Sequence, residues 1–95
     1  MTDEMLHAVL ETAGAKLDKD GWSVLPEGRL LTLYAAHAGV PLTIAKVEAV
    51  KVSQRIAWAR SAKGEIYVAG LEDLFAAAMD RGHEAQAGRK AGFLG

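Results

Sequence analysis

The chain has 95 residues, is 51% hydrophobic and contains no cysteine; its 11 basic side chains face 12 acidic ones, for a formal net charge of −1. That length suits a single domain burying roughly 60–65% of its unfolded surface. The composition excludes disulfides and thiolate metal sites, and the charge balance argues against a polycation built for nucleic acid and against an acidic tail.

The apolar content predicts an ordered chain, and a charge near zero favours self-association. Met1-Thr2-Asp3-Glu4 is acidic and leads into an amphipathic segment, whereas a secretory signal has a basic start and an apolar block. The longest apolar run, 30–45, is interrupted by Thr32, His37 and Thr43. It falls short of the ~20 residues a spanning helix needs. The expectation is a soluble, cytoplasmic protein with no membrane association.

In chain order, residues 3–18 read as a helix. Leu6, Val9, Leu10, Ala13 and Leu17 repeat at three- and four-residue spacing, Thr2 or Asp3 can cap the start, and Lys19-Asp20-Gly21 supplies a stop. Gly14 is a soft point, costing ~1 kcal/mol against Ala in a helix interior. Trp22–Leu25 reads as a short strand closed by the turn Pro26-Glu27-Gly28.

The stretch 30–69 is rich in β-branched and aromatic residues and is punctuated at hairpin intervals. In 29–36, Leu31, Leu33 and Ala35 share one face. Ala38-Gly39 can form a two-residue turn that pairs Leu33 with Ile44 and Ala35 with Leu42. The next strand, 42–52, changes phase: Leu42 and Ile44 have one parity, Val47 and Ala49 the other, and Val50 and Val52 the first again. A bulge near 45–48 reconciles these parities and curls the sheet. After a turn at Ser53-Gln54, strands 55–61 and 65–69 form a hairpin about Lys63-Gly64.

In 71–81, Leu71, Leu74, Phe75, Ala78 and Met79 fall on one helical face, with Glu72 and Asp73 in the first turn and Arg81 in the last. This predicts a C-terminal helix ended by Gly82. Residues 83–95, polar and glycine-containing, read as a flexible tail. The fold expected is therefore α+β: an N-terminal helix, a curved, half-barrel-like antiparallel meander of about five strands and a C-terminal helix, in one domain over 1–82.

A second reading makes 30–52 a helix–turn–helix, with the hairpin 55–69 as a wing. Thr43, Ile44, Val47, Val50 and Val52 in the second helix suit a strand better and form no stripe. Separately, Val47-Glu48-Ala49 followed by Tyr67-Val68-Ala69-Gly70-Leu71-Glu72-Asp73-Leu74 resembles part of the strand–hairpin–helix run of LytTR-type DNA-binding domains. The resemblance spans under half the chain and omits the basic strand that contacts DNA in those domains.

No nucleophile elbow, P-loop or dinucleotide fingerprint occurs, and His7, His37 and His83 are too far apart in sequence to suggest a metal site. Glu48 sits among apolar strand residues, where it would either face water or pair with Arg60 across the ladder. No catalytic residue, cofactor, metal or small-molecule ligand is expected, and the chain reads as a non-enzyme. The one constellation with functional character is on the hairpin about Lys63-Gly64. Pairing Arg60 with Tyr67 and Trp58 with Ala69 sets Ala57, Ala59, Ile66 and Val68 toward the core. Ile56, Trp58, Arg60 and Tyr67 then lie on the solvent face as a partner-binding patch, enriched in the residue types of binding hot spots. The function expected is a small interaction or regulatory module that binds another protein or itself; the alternative is a winged-helix-like DNA-binding regulator.

Overall fold

A computed structural model of the chain describes residues 1–80. Helix α1 spans Asp3–Thr12 and starts as the sequence predicts, with Thr2 Oγ1 accepting the Met5 N–H at 3.0 Å and Asp3 and Glu4 in the first turn. It stops six residues short of the predicted end. Gly14 takes a φ of +80°, and the Arg29 guanidinium donates to the Ala13 carbonyl at 3.1 Å, satisfying one of the helix's orphan acceptors. The residues beyond form a small hairpin instead, β1 (Lys16–Leu17) on β2 (Ser23–Val24). Asp18 accepts the backbone N–H groups of Asp20 and Trp22, so Lys19-Asp20-Gly21 is a hairpin turn and not a helix stop.

Strands β3 (Leu30–His37) and β4 (Val40–Ser53) are joined by Ala38 and Gly39, both at positive φ (50° and 82°), as a two-residue primed turn requires. Leu33 faces Ile44 and Ala35 faces Leu42, the register the sequence predicts. Pro41 stands opposite Ala36. His37 and Val40 close the two-residue turn and form its hydrogen-bonded pair, so the proline nitrogen points away from β3 and breaks no ladder bond.

The phase change in β4 is a bulge. Lys46 has a φ of 57°, and between the pairs Leu33–Ile44 and Leu31–Val47 strand β4 has one residue more than β3. The extra residue turns both Ile44 and Val47 inward, at 2% and 0% exposure. Past the bulge β4 is flanked on one side by β2 and on the other by β5 (Ile56–Ser61), which pairs in turn with β6 (Ile66–Gly70). The turn between β4 and β5 is Gln54-Arg55, one position later than expected, with both residues at positive φ.

The predicted C-terminal helix is not formed. Leu71–Asp73 is a single 3-10 turn, and Leu74–Asp80 is a strand, β7, antiparallel to β3. Leu, Ala and Met favour helix locally, but tertiary pairing overrides that preference. Strand β3 has an apolar inner face and would otherwise leave one edge unpaired. As a strand, 74–80 pairs with that edge while Leu74 enters the core at 1% exposure and Phe75 meets the Tyr34 ring at 6.4 Å.

Among the described residues the sheet therefore has seven strands, against about five expected, in the order β1-β2-β4-β3-β7, with β5 on the other side of β4 and β6 beyond it. It curls into a half-barrel. Leu6 and Leu10 of α1 join Leu31, Leu33, Ile44, Val47, Val50, Leu71 and Leu74 in its core. The helix–turn–helix alternative is overturned, since 43–52 lies wholly in β4. The segment 67–74 that resembles a strand–hairpin–helix run is likewise β6, the 3-10 turn and the start of β7. Among the described residues no helix is long and apolar enough to cross a membrane. The tail 83–95, like Arg81 and Gly82, lies outside the described residues.

Candidate partner-binding face

Across β4, β5 and β6 the ladder aligns three rows. Lys51 faces Trp58, which faces Val68; Ala49 faces Arg60, which faces Ile66; Ser53 faces Ile56, which faces Gly70. Alternation puts all of these side chains on the convex, outer face. Ile56, Trp58 and Arg60 are thus brought together on one surface, as the sequence predicts.

Tyr67 is not among them. Its partner is Ala59, on the inner face, and the ring packs against the core. The hairpin register is one residue away from the predicted one, because the loop has three residues, 62–64, instead of two. Gly64 donates its N–H to the Ser61 carbonyl with a φ of 89°, and Ser61 Oγ accepts from Lys63 N and Glu65 N, both at 3.2 Å. A slip of one residue reverses every side chain on the strand. Ile66 and Val68, predicted to be core, occupy the outer face at 55% and 60% exposure. The serine at the turn was the available signal: its hydroxyl holds two loop N–H groups, as the Asp18 carboxylate does in the β1–β2 hairpin.

Two cations rest on the two tryptophans. The Lys51 ammonium lies 5.9 Å from the Trp58 ring centroid, and the Arg60 guanidinium 5.2 Å from that of Trp22, just ahead of β2. Arg60 Nε also donates to Glu48 Oε2 at 3.0 Å, the cross-strand pair anticipated for Glu48. Beneath them Ala49 is fully buried yet stands apart from the core cluster, covered from the outer side. The face is thus apolar along Ile56, Trp58, Val68 and Ile66, with a held arginine and a lysine along its β4 side.

Tyr67 donates to Glu65 Oε1 at 3.0 Å. That bond, followed by the carboxylate's charge, raises its phenol above the ordinary tyrosine range. His37 Nδ1 meets the Asp73 carboxylate at 3.1 Å, and His7 lies 3.7 Å from Glu11 one helical turn on. Among the described residues no group of His, Asp and Glu side chains is placed to hold a metal ion. A hollow of about 740 Å³ lies between α1 and the C-terminal half of β4. Leu6, Leu10, Val50 and Val52 line it, with Asp3, Glu4 and Arg55 also at its wall. No protein-family profile, curated protein or solved structure matches the chain.

Proposed function

We propose that this chain is a non-catalytic interaction module that binds another protein, or a second copy of itself, through the outer face of β5 and β6. The observation that carries the reading is the contiguous strip Ile56, Trp58, Ile66 and Val68, which no described element covers. Apolar strips of this kind on a sheet face mark association surfaces, and a tryptophan flanked by an ordered arginine has the composition of a binding anchor. A regulatory role and a cytoplasmic location, which a cysteine-free chain suits, belong to the same proposal.

The test is Trp58→Ala. Truncating a central interface tryptophan costs about 2 kcal/mol or more of binding, roughly 30-fold in Kd. On an outer face it leaves a denaturant melt within about 1 kcal/mol of wild type. Sedimentation and affinity capture with both proteins read the association. A variant that melts far below wild type with association unchanged means that the ring serves packing and the binding proposal fails.

A further inference from the structure

We infer that the partner is a second copy of this chain, joined edge to edge through β6; the inference rests on the association proposed above and adds its occupant and geometry. The starting point is the hydrogen-bond alternation of the β5–β6 hairpin. Ser61 N donates to Glu65 O at one end and Leu71 N to Arg55 O at the other, both at 2.8 Å. The ladder between them therefore directs the backbone of Glu65, Tyr67, Ala69 and Leu71 toward β5. The N–H and C=O groups of Ile66, Val68 and Gly70 point the other way, where no described strand pairs with them.

This edge lacks the usual protections. Ile66-Tyr67-Val68-Ala69-Gly70 carries no charge, no proline and no bulge. The other open edges differ. The free half of β4 holds Pro41, β1 is two residues long, and β7 carries a bulge at Phe75.

An antiparallel pairing about a two-fold axis at Val68 sets Val68 against its own copy and Ile66 against Gly70, for about six backbone hydrogen bonds. Gly70 brings no side chain to crowd Ile66. The loop residue Lys63 precedes this edge and the Glu72-Asp73 pair follows it, so an antiparallel joint brings opposite charges to each of its ends. The net charge of −1 opposes none of this. The two outer strips, each with Ile66, Val68 and Trp58, become one continuous surface.

The geometry supplies a selective variant. The Val68 N–H is not used within the chain, so Val68→Pro removes it from the edge while leaving the β5 ladder intact. Sedimentation of the full chain from micromolar to millimolar concentration is expected to show a monomer–dimer equilibrium, and Val68→Pro to weaken it at least tenfold with an unchanged far-UV circular dichroism spectrum. If the proline disturbs folding, Val68→Cys decides. In a chain with no other cysteine, mild oxidation is expected to cross-link it far faster than Val40→Cys, which is equally exposed but off the axis.

A wild-type chain that stays monomeric throughout overturns the inference, as does a folded Val68→Pro that dimerises like wild type or a Val68→Cys that cross-links no faster than the control. Dimerisation lost in Trp58→Ala but kept in Val68→Pro overturns the edge and leaves the face. Dimerisation lost in Val68→Pro but kept in Trp58→Ala supports the edge and removes the face.

Discussion

Helix α1 and strand β7 begin from similar sequence patterns and end as different structures. DEMLHAVLET and LFAAAMD are both rich in helix-favouring residues, and each follows or contains an acidic pair suited to a helix N-terminus. The difference lies in what each finds nearby. Segment 3–12 meets a sheet face already paired along its strands; its buried groups are Leu6 and Leu10, one turn apart, so a helix satisfies its own backbone and offers one stripe. Segment 74–80 meets an open strand edge. Its hydrogen-bonding groups are worth more to β3 than to each other, and its small alanines pass close to β3 without crowding. Local preference decides where the neighbourhood is indifferent, and an unpaired edge is not.

The largest expected effect tests whether both segments anchor the same core. Leu6→Ala and Leu74→Ala, each at a side chain 1% exposed, should each lose about 2–5 kcal/mol in a urea melt. Either variant melting within about 0.5 kcal/mol of wild type would remove that segment from the core.

A proline pair sharpens the contrast. Tyr34 faces Ala76 and Thr32 faces Ala78, and the alternation of β3 turns residues 32 and 34 toward β7. Ala78→Pro therefore deletes a ladder donor, whereas Ala77→Pro deletes one that points outward. Ala78→Pro should cost about 3 kcal/mol and Ala77→Pro clearly less. In a helix the two prolines would be about equally damaging, so equal melts would return 74–80 to the helix that its composition favours.

The smallest effect concerns the start of α1. Thr2→Ala removes the acceptor for Met5 N and should cost about 1 kcal/mol, read in the same melts, with Thr2→Ser retaining most of it. No loss would mean that packing alone holds the first turn.

The same physics explains how far the sequence was readable. Register in the β3–β4 hairpin was legible because its turn admits one geometry and its apolar residues meet only in one alignment. The bulge was legible because a parity change within a continuous apolar strand has few other solutions. Hairpin β5–β6 was misread by one residue: Lys63-Gly64 suits a two-residue turn, and the Ser61 hydroxyl that selects a longer loop acts through two backbone contacts that no hydropathy pattern records. The candidate face inherited that error. Trp58 and Arg60 stood on the strand whose outward parity held, while Tyr67 exchanged places with Ile66 and Val68. Strand β7 was illegible from its own residues, since the cause of its conformation is an edge more than thirty residues earlier in the chain.

That distance also sets an order of assembly. The pairs β3–β4, β4–β5 and β5–β6 are hairpins between neighbours in the chain, closable in microseconds. Ala35 and Leu74, by contrast, are brought together across the whole of that meander, and closing so long a loop costs entropy that only the finished core repays. The three hairpins can close while the far edge of β3 still waits for its partner. For that interval the chain displays an apolar template with no occupant. The docking of residues 74–80 is the step that removes that template.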